Sequence, residues 1–170
     1  GSLEKDQNIF QFAATAPGTY QTMNIGRFVS EFKAFDKKGK ELQVIYLKPN
    51  QYQFQKPQKV QSITYRVAET FDTKVREYPI YLMCGSSIEK DHTLINAHTI
   101  MGYIEGLQKT PFNVSFIRNP DWQVGTAMPE QNDQYMAEDF DHLVDSPILL
   151  GDLSYADTVV AGTNIEIYTY

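Results

Sequence analysis

The 170-residue sequence has a single cysteine, three histidines and no long apolar run. One cysteine excludes an internal disulfide, and Cys84, which ends the apolar run 81–84, is predicted to be a buried small hydrophobe and not a reactive thiol. No stretch approaches the roughly 20 apolar residues of a membrane-spanning helix. The sequence therefore predicts neither a disulfide scaffold nor membrane insertion.

An excess of positive charge is also missing. The chain carries 15 Lys and Arg against 21 Asp and Glu, which gives a formal net charge of −6. Proteins that bind nucleic acid or anionic membranes need a basic face, and the densest basic cluster here, residues 37–40, falls in a predicted turn. We therefore expect no nucleic-acid partner.

Recognised catalytic motifs are absent as well, including the zinc-binding helix His-Glu-x-x-His, the nucleophile elbow and the phosphate loop. His92 and His98 would lie about 20 Å apart on a continuous extended segment, too far to share a metal. Because a catalytic zinc typically has three protein ligands, a zinc hydrolase acting through His92, His98 and His142 is disfavoured. We predict no catalytic residue, no metal ligand and no cofactor within this chain.

The sequence does contain a strong strand signal. Hydrophobic residues make up 42% of the chain and aromatic residues 13%, enough for a folded, strand-rich domain. Alternation of apolar and polar residues recurs in short segments at residues 28–34, 42–46, 63–67, 112–116, 122–126 and 165–168. Turn residues at 36–39 and 161–164 each predict a hairpin. We predict a single, mainly β domain over residues 1–170, an antiparallel β-sandwich-like fold.

One short helix is predicted near residues 136–145. Phe140, Leu143 and Val144 have the i, i+3, i+4 spacing of one helix face. Glu138 and Asp139 would fall in the first turn, where carboxylates favour the helix dipole.

The end of this helix is predicted from Ser146 and Pro147, because the residue before a proline is pushed out of helical geometry. Asp145 would then be an acid at the C-terminus of a helix, where the dipole disfavours it. We therefore expect Asp145 to have a specific partner.

Several segments, taken in order, form a family pattern: Pro17–Tyr20, Gly26–Val29, Phe32–Gly39, Ile63–Val67, Asp72 with Val75–Arg76, Trp122–Met128, and Ala137–Pro147 with Gly151. The first is like a Pro-Gly-Ser-Tyr turn, and the last is like a segment of the form Ala-x-x-Tyr-Asp-x-Leu-Val-Asp-Ser-Pro. Together they resemble the N-terminal domain of the glycyl aminopeptidase family, zinc metallopeptidases whose C-terminal part often carries a PDZ domain. One departure is Met23-Asn24, which stands where the family commonly has an Arg-Asp pair.

The resemblance implies a β domain packed against a thermolysin-like catalytic domain that would follow it and hold the zinc. It brings no zinc ligand or general base onto this chain. The expected partners are that catalytic domain and, indirectly, its peptide substrate, with an extracytoplasmic bacterial location. Because the last strand signal runs to Tyr170, we expect the chain to be cut from a longer protein.

The residues expected to form the interdomain or substrate-cleft contact are Asp141, Asp145, Ser146, Pro147, Tyr168 and Tyr170. Carboxylates in such a place would attract the amino terminus of a peptide. The alternative is a stand-alone β-sandwich module that binds glycan or protein through exposed aromatic side chains. The candidates for that surface are Tyr52, Phe54, Tyr103, Tyr168 and Tyr170.

Overall fold

The computed structural model describes residues 2–170. Strands make up 40% of the chain and helices 11%, and the strands form several antiparallel sheets, none of them closed into a barrel. The predicted mainly β, antiparallel class is confirmed. In the first half of the chain the strands are β1 (Ile9–Phe12), β2 (Val29–Phe35), β3 (Glu41–Leu42), β4 (Val44–Lys48), β5 (Gln51–Phe54), β6 (Ser62–Val67) and β7 (Ser87–Ile88). They are followed by β8 (His92–Ile95), helix α1 (Ala97–Ile100), β9 (Gly102–Ile104), β10 (Phe112–Val114), β11 (Gln123–Thr126), β12 (Glu130–Gln131), β13 (Gln134–Ala137), helix α2 (Phe140–Val144), β14 (Ile148–Gly151), β15 (Ser154–Val160) and β16 (Thr163–Thr169).

Two sheets of the N-terminal half pack against each other around an aromatic core. One has the order β4-β5-β1-β9 and the other β3-β2-β6. The Phe32 ring stacks on Tyr52 with centroids 4.0 Å apart, and Phe12 meets Tyr65 edge-on at 5.1 Å. Burial in this core raises the pKa of Tyr65 to about 12. Ile63 and Tyr65 of β6 thus pack on this core, as the alternation predicts. Ile45, Tyr46 and Leu47 of β4 are instead exposed.

A second pair of sheets forms the C-terminal half. The sheets have the orders β11-β14-β8-β7 and β10-β13-β12, and helix α2 packs on them. Leu143 of α2 and Ile148 of β14 are fully buried in this core. The helix thereby fixes the entry into β14, which carries the surface described below.

Loops between the two halves enclose a third cluster, in which Met23 and Ile25 are fully buried. Cys84 lies here with its Sγ 3.7 Å from Met23 Sδ, and burial raises the pKa of its thiol. Its predicted role as a buried apolar residue is therefore confirmed.

The family segment at Gly26 has a clear packing reason. A Cβ at Gly26 would lie 1.8 Å from the Pro49 carbonyl oxygen. The Gly26 amide donates to Asn50 Oδ1, and Asn50 Nδ2 donates to Asn24 Oδ1, both at 2.9 Å. Asn24, which belongs to the departure from the family pattern at Met23-Asn24, thus has a local structural role.

The first predicted hairpin is only partly correct. β2 pairs with β3, and Asp36 Oδ1 accepts from the amides of Lys38 and Lys40 in the turn. The chain then leaves this sheet at Gln43, and β4 pairs with β5 in the facing sheet. The uninterrupted alternation across residues 42–46 hides this change of sheet, because both strands keep the same period.

The predicted helix near residues 136–145 is shorter in the structure. Residues 134–137 form β13, and α2 spans only Phe140–Val144. Asp139 is its N-cap, because its Oδ1 accepts from the His142 amide at 2.9 Å. The short helix α1 has no clear signal in the sequence. None of the helices formed by residues 2–170 has the length and apolar character needed to cross a membrane.

Candidate interdomain surface and groove

Strands β15 and β16 form a hairpin, called the terminal hairpin below, whose strands pair with none of the four sheets described above. Val160 pairs with Thr163, so that Ala161 and Gly162 alone make the turn, with φ angles of 50° and 83°. Two positive φ values in a two-residue turn are typical of the tight β-hairpin. The predicted C-terminal hairpin is confirmed, and every residue of its strands except Tyr168 is exposed.

The terminal hairpin has two chemically different faces. Residues paired directly across an antiparallel ladder share a face. One face, called the outer face below, carries mainly aliphatic and β-branched residues: Ala156, Thr158, Val160, Thr163, Ile165, Ile167 and Thr169. The other face carries Tyr155 opposite Tyr168, Asp157 opposite Glu166, and Val159 opposite Asn164.

Two tyrosines attach the hairpin to the sheet β11-β14-β8-β7. A Cβ built on Gly125 of β11 would come within 2.7 Å of Tyr168 Cβ and Cγ, so the absent side chain makes room for Tyr168. The Tyr170 ring stacks on His92 with centroids 4.0 Å apart. The hairpin therefore crosses the face of the sheet that carries Gly125 and His92.

A groove of about 970 Å³ opens between the hairpin and this sheet. One wall is the continuous segment 124–130, and the other is formed by β16 from Asn164 to Tyr168. Its floor includes half-buried Leu94 and Leu149, and Pro147 lines one side. The groove is therefore mostly apolar at its base.

The same two leucines also line a second, smaller hollow beside the groove, with Phe71, Asp91, His92 and Tyr170 around them. His92 Nδ1 lies 2.9 Å from Asp91 Oδ1. The Tyr170 hydroxyl and then His92 lower the pKa of the Asp91 carboxyl, and the pKa of Tyr170 is raised mainly by its hydrogen bond with Asp91. The exposed end of the hairpin is thus tied to the sheet by one polar cluster.

Carboxylates dominate the charge around the groove. Glu130 and Glu166 line it, and none of the groove residues described by the structure is Lys, Arg or His. Glu166 accepts from the Tyr168 hydroxyl at 3.2 Å and faces Asp157 across the hairpin ladder. Like charges directly opposite in a ladder repel. Burial, then Asp157 and Glu166, raise the pKa of Tyr155 on the same face.

The predicted contact residue Asp141 lies away from the groove, on helix α2. Lys109 Nζ pairs with Asp139 Oδ2 at 2.9 Å and with Asp141 Oδ2 at 2.6 Å. These two carboxylates raise the pKa of Lys109, Asp141 contributing most. The His142 amide, then Lys109, lower the pKa of Asp139. Asp139 and Asp141 therefore hold the start of α2 and one lysine in place.

The remaining predicted residues at the end of α2 have different environments. Ser146 is buried and donates its hydroxyl to the His142 carbonyl at 2.8 Å. Pro147 is exposed and lines the groove with Tyr168. The Asp145 carboxylate is exposed, and within residues 2–170 it makes neither an ion pair nor a side-chain hydrogen bond. The partner expected for Asp145 is therefore not provided by this part of the protein.

The three histidines lie in unrelated places. His92 stacks on Tyr170, His98 is buried on helix α1, where burial lowers its pKa, and His142 belongs to α2. Across residues 2–170, no three His, Cys, Asp or Glu side chains come together in a way that could hold a metal ion. The described residues therefore do not fit a zinc site.

Three of the five aromatic side chains considered for a binding platform belong to the cores. Tyr52 and Phe54 are buried between the first two sheets. Tyr103 packs on Phe140 with centroids 4.6 Å apart. Of the five, only Tyr168 and Tyr170 lie at the groove and the hollow beside it, and both attach the hairpin to the sheet. The groove walls at Glu130 and Glu166 were not predicted, because only the fold brings these distant segments together.

Comparison with known proteins gives a family for this chain and a solved structure with a similar fold. Residues 2–152 match the Peptidase M61 N-terminal domain. The fold is similar to that of the crystal structure of an aminopeptidase N family protein from Idiomarina loihiensis, with a TM-score of 0.78 and 20% sequence identity. That similarity covers 98% of this chain but only 28% of the other protein. A comparison with curated protein sequences found no match. The match over most of its length shows that this chain belongs to the M61 peptidase family and comprises its N-terminal domain.

Proposed function

We propose that this chain is the non-catalytic N-terminal domain of a glycyl-aminopeptidase-like zinc metallopeptidase, which supports the catalytic domain and forms part of the wall of its peptide cleft. The observation that carries this proposal is the exposed outer face of the terminal hairpin. Ile165 and Ile167 on it are 39% and 48% exposed, although both are β-branched residues of a regular strand.

An isolated two-stranded hairpin is marginal in water and needs a third element to cover its apolar face. Large exposed apolar surfaces usually mark interaction sites. The outer face has no covering element within residues 2–170, because all of the residues named on it are exposed. A following catalytic domain would cover it.

The groove, between the opposite face of the hairpin and the sheet β11-β14-β8-β7, is the part that would contribute to the cleft. Pro147 and Tyr168 line it, and the unpaired Asp145 carboxylate lies in the same chain segment as Pro147. In this proposal the zinc and the general base belong to the catalytic domain, and the protein acts outside the cytoplasm.

The encoding gene provides the first test. We expect it to continue past Tyr170 into a segment with His-Glu-x-x-His followed by a further Glu. A stop codon shortly after Tyr170 would remove the peptidase proposal, and a following domain without these ligands would indicate a catalytically inactive relative.

Substitution of the outer face tests the contact itself. Ile167→Lys should leave the stability of the 170-residue chain nearly unchanged, because the side chain is exposed there. In the longer protein the same change should destabilise the assembly by about 2 kcal/mol or more, the cost of a buried unpaired charge. Thr158→Lys, on the same face in β15, tests how far the contact extends. Ile45→Lys, at an exposed position of β4 outside the hairpin, is the control. Equal effects of Ile167→Lys in both proteins would contradict the proposed contact.

A further inference from the structure

We propose that the second hollow, beside the groove, is a binding site for a small organic cation in which an ammonium group is joined to an apolar body. The residues that carry this inference line the hollow: Phe71, Glu89, Asp91, Leu94, Leu149 and Tyr170. The inference goes beyond the proposed function, because it requires neither a catalytic domain nor a peptide.

The size and floor of the hollow suit the apolar part of such a ligand. Its volume is about 640 Å³, and small-molecule sites have volumes of roughly 300–1,000 Å³. Leu94 and Leu149 pair directly across the ladder of β8 and β14, and both are half-buried. An apolar ligand body would cover the two leucines and remove their remaining surface from water.

Two aromatic rings, those of Phe71 and Tyr170, also line the hollow. A Cβ built on Gly85 would lie 3.0 Å from Phe71 Cε1, so the Phe71 ring packs closely against this glycine. The Tyr170 ring stacks on His92 with centroids 4.0 Å apart. Both rings are therefore held in place before a ligand enters, which lowers the free-energy cost of ordering them on binding.

The charged groups of the hollow select a cation. Glu89 and Asp91 line it, and none of the lining residues described by the structure is Lys or Arg. Lys90 lies between the two acids in the sequence, yet within residues 2–170 Glu89 has no ion-pair partner and Asp91 pairs only with His92. An ammonium group would be attracted by both carboxylates and by an aromatic ring, whereas a ligand carboxylate would be repelled.

A series of ligands that share one body tests this inference on the 170-residue chain. The probe is phenylbutylamine, and we expect saturable binding in an NMR titration at about pH 8, where histidine side chains are ordinarily neutral. The amide shifts should be centred on residues 89–94 and on Phe71 and Leu149. Phenylbutanol should bind about fivefold and phenylbutyrate about tenfold more weakly, since both lack the ammonium group. Butylamine should bind about tenfold more weakly, because it buries less apolar surface.

Matched variants separate the charge from the shape of the hollow. Glu89→Gln should weaken binding of phenylbutylamine by about threefold and leave binding of phenylbutanol unchanged. Glu138→Gln, at an exposed acid outside the hollow, should leave both unchanged. Absence of saturable binding, equal binding of phenylbutylamine and phenylbutyrate, equal effects of the two variants, or amide shifts away from the hollow would overturn the inference.

A capped dipeptide of phenylalanine and lysine distinguishes a small amine from a lysine side chain of a polypeptide. It should bind more weakly than phenylbutylamine, because its backbone amides would lose water on entering an apolar hollow. Tighter binding of the dipeptide would overturn the assignment to a small amine. These results are independent of the Ile167→Lys test, because Ile167 lies on the outer face of the hairpin and does not line the hollow.

Discussion

Tyr168 lies directly over Gly125. A Cβ added to Gly125 would come within 2.7 Å of Tyr168 Cβ and Cγ. The space between the two residues therefore holds a hydrogen on the Gly125 Cα but not a methyl group. Tyr168 Cβ is bonded to the backbone and cannot rotate away. The position of the terminal hairpin over the sheet β11-β14-β8-β7 therefore depends on the glycine at residue 125.

Gly125→Ala should displace the hairpin without unfolding either sandwich. We expect a loss of about 1–3 kcal/mol, the usual cost of overpacking, expressed as faster hydrogen exchange of residues 163–169. Gly151→Ala adds a Cβ to the neighbouring strand with its closest contact at 3.2 Å, and should have a smaller effect. Unchanged exchange in Gly125→Ala would show that Tyr168 does not anchor the hairpin.

The cluster of Asp91, His92 and Tyr170 predicts a pH dependence of the same hairpin. The Tyr170 hydroxyl and His92 lower the pKa of Asp91. A carboxyl whose pKa is lowered by folding stabilises the fold above its unfolded pKa of about 3.9, and this stabilisation is lost as the pH falls through the folded pKa.

As the pH falls below about 4, the unfolded reference value of an aspartate carboxyl, the Tyr170 ring signals should therefore move away from their stacked position as Asp91 takes up a proton. NMR of the ring protons measures this, with Asp91→Asn as the comparison. In Asp91→Asn the transition should be missing from this range. An identical transition in both proteins would place its origin at another carboxyl.

The two acids that share Lys109 should differ in their effect on stability. Asp139→Ala removes both the N-cap of α2 and one ion pair, and should destabilise the protein by about 1 kcal/mol or somewhat more. Asp141→Ala removes only an exposed ion pair, for which we expect about 0–1 kcal/mol. Urea unfolding at neutral pH gives both values, and equal losses would mean that the cap contributes nothing.

Much of the fold follows from the sequence, because the strands alternate regularly and their turns have suitable residues. The hairpin around Ala161 and Gly162 and the strand at residues 62–67 are examples. The break at Gln43 was not predictable, since alternation continues through it while the chain changes sheets. Helix α2 was predicted too long because Ala137, a buried residue of β13, lies three residues before Phe140 and so also fits the helix face.

The interdomain or substrate-cleft contact itself stays a prediction, and the structure shows only where its residues lie. Pro147 and Tyr168 do line one groove, and Tyr170 lies beside it. Asp141 instead pairs with Lys109, and Ser146 is buried, because the sequence does not show which way each side chain of a short helix points. Glu130 and Glu166 are 36 residues apart by their numbers, and only the folded chain brings both to the groove.

The most direct test of the domain contact is hydrogen exchange of residues 154–169 in the 170-residue chain and in the longer protein that the proposal expects the same gene to encode. If the outer face is covered by a following domain, the slowing of exchange in the longer protein should be concentrated in these residues, by about tenfold or more. Equal exchange in the two proteins would contradict the proposal that the terminal hairpin packs against a catalytic domain.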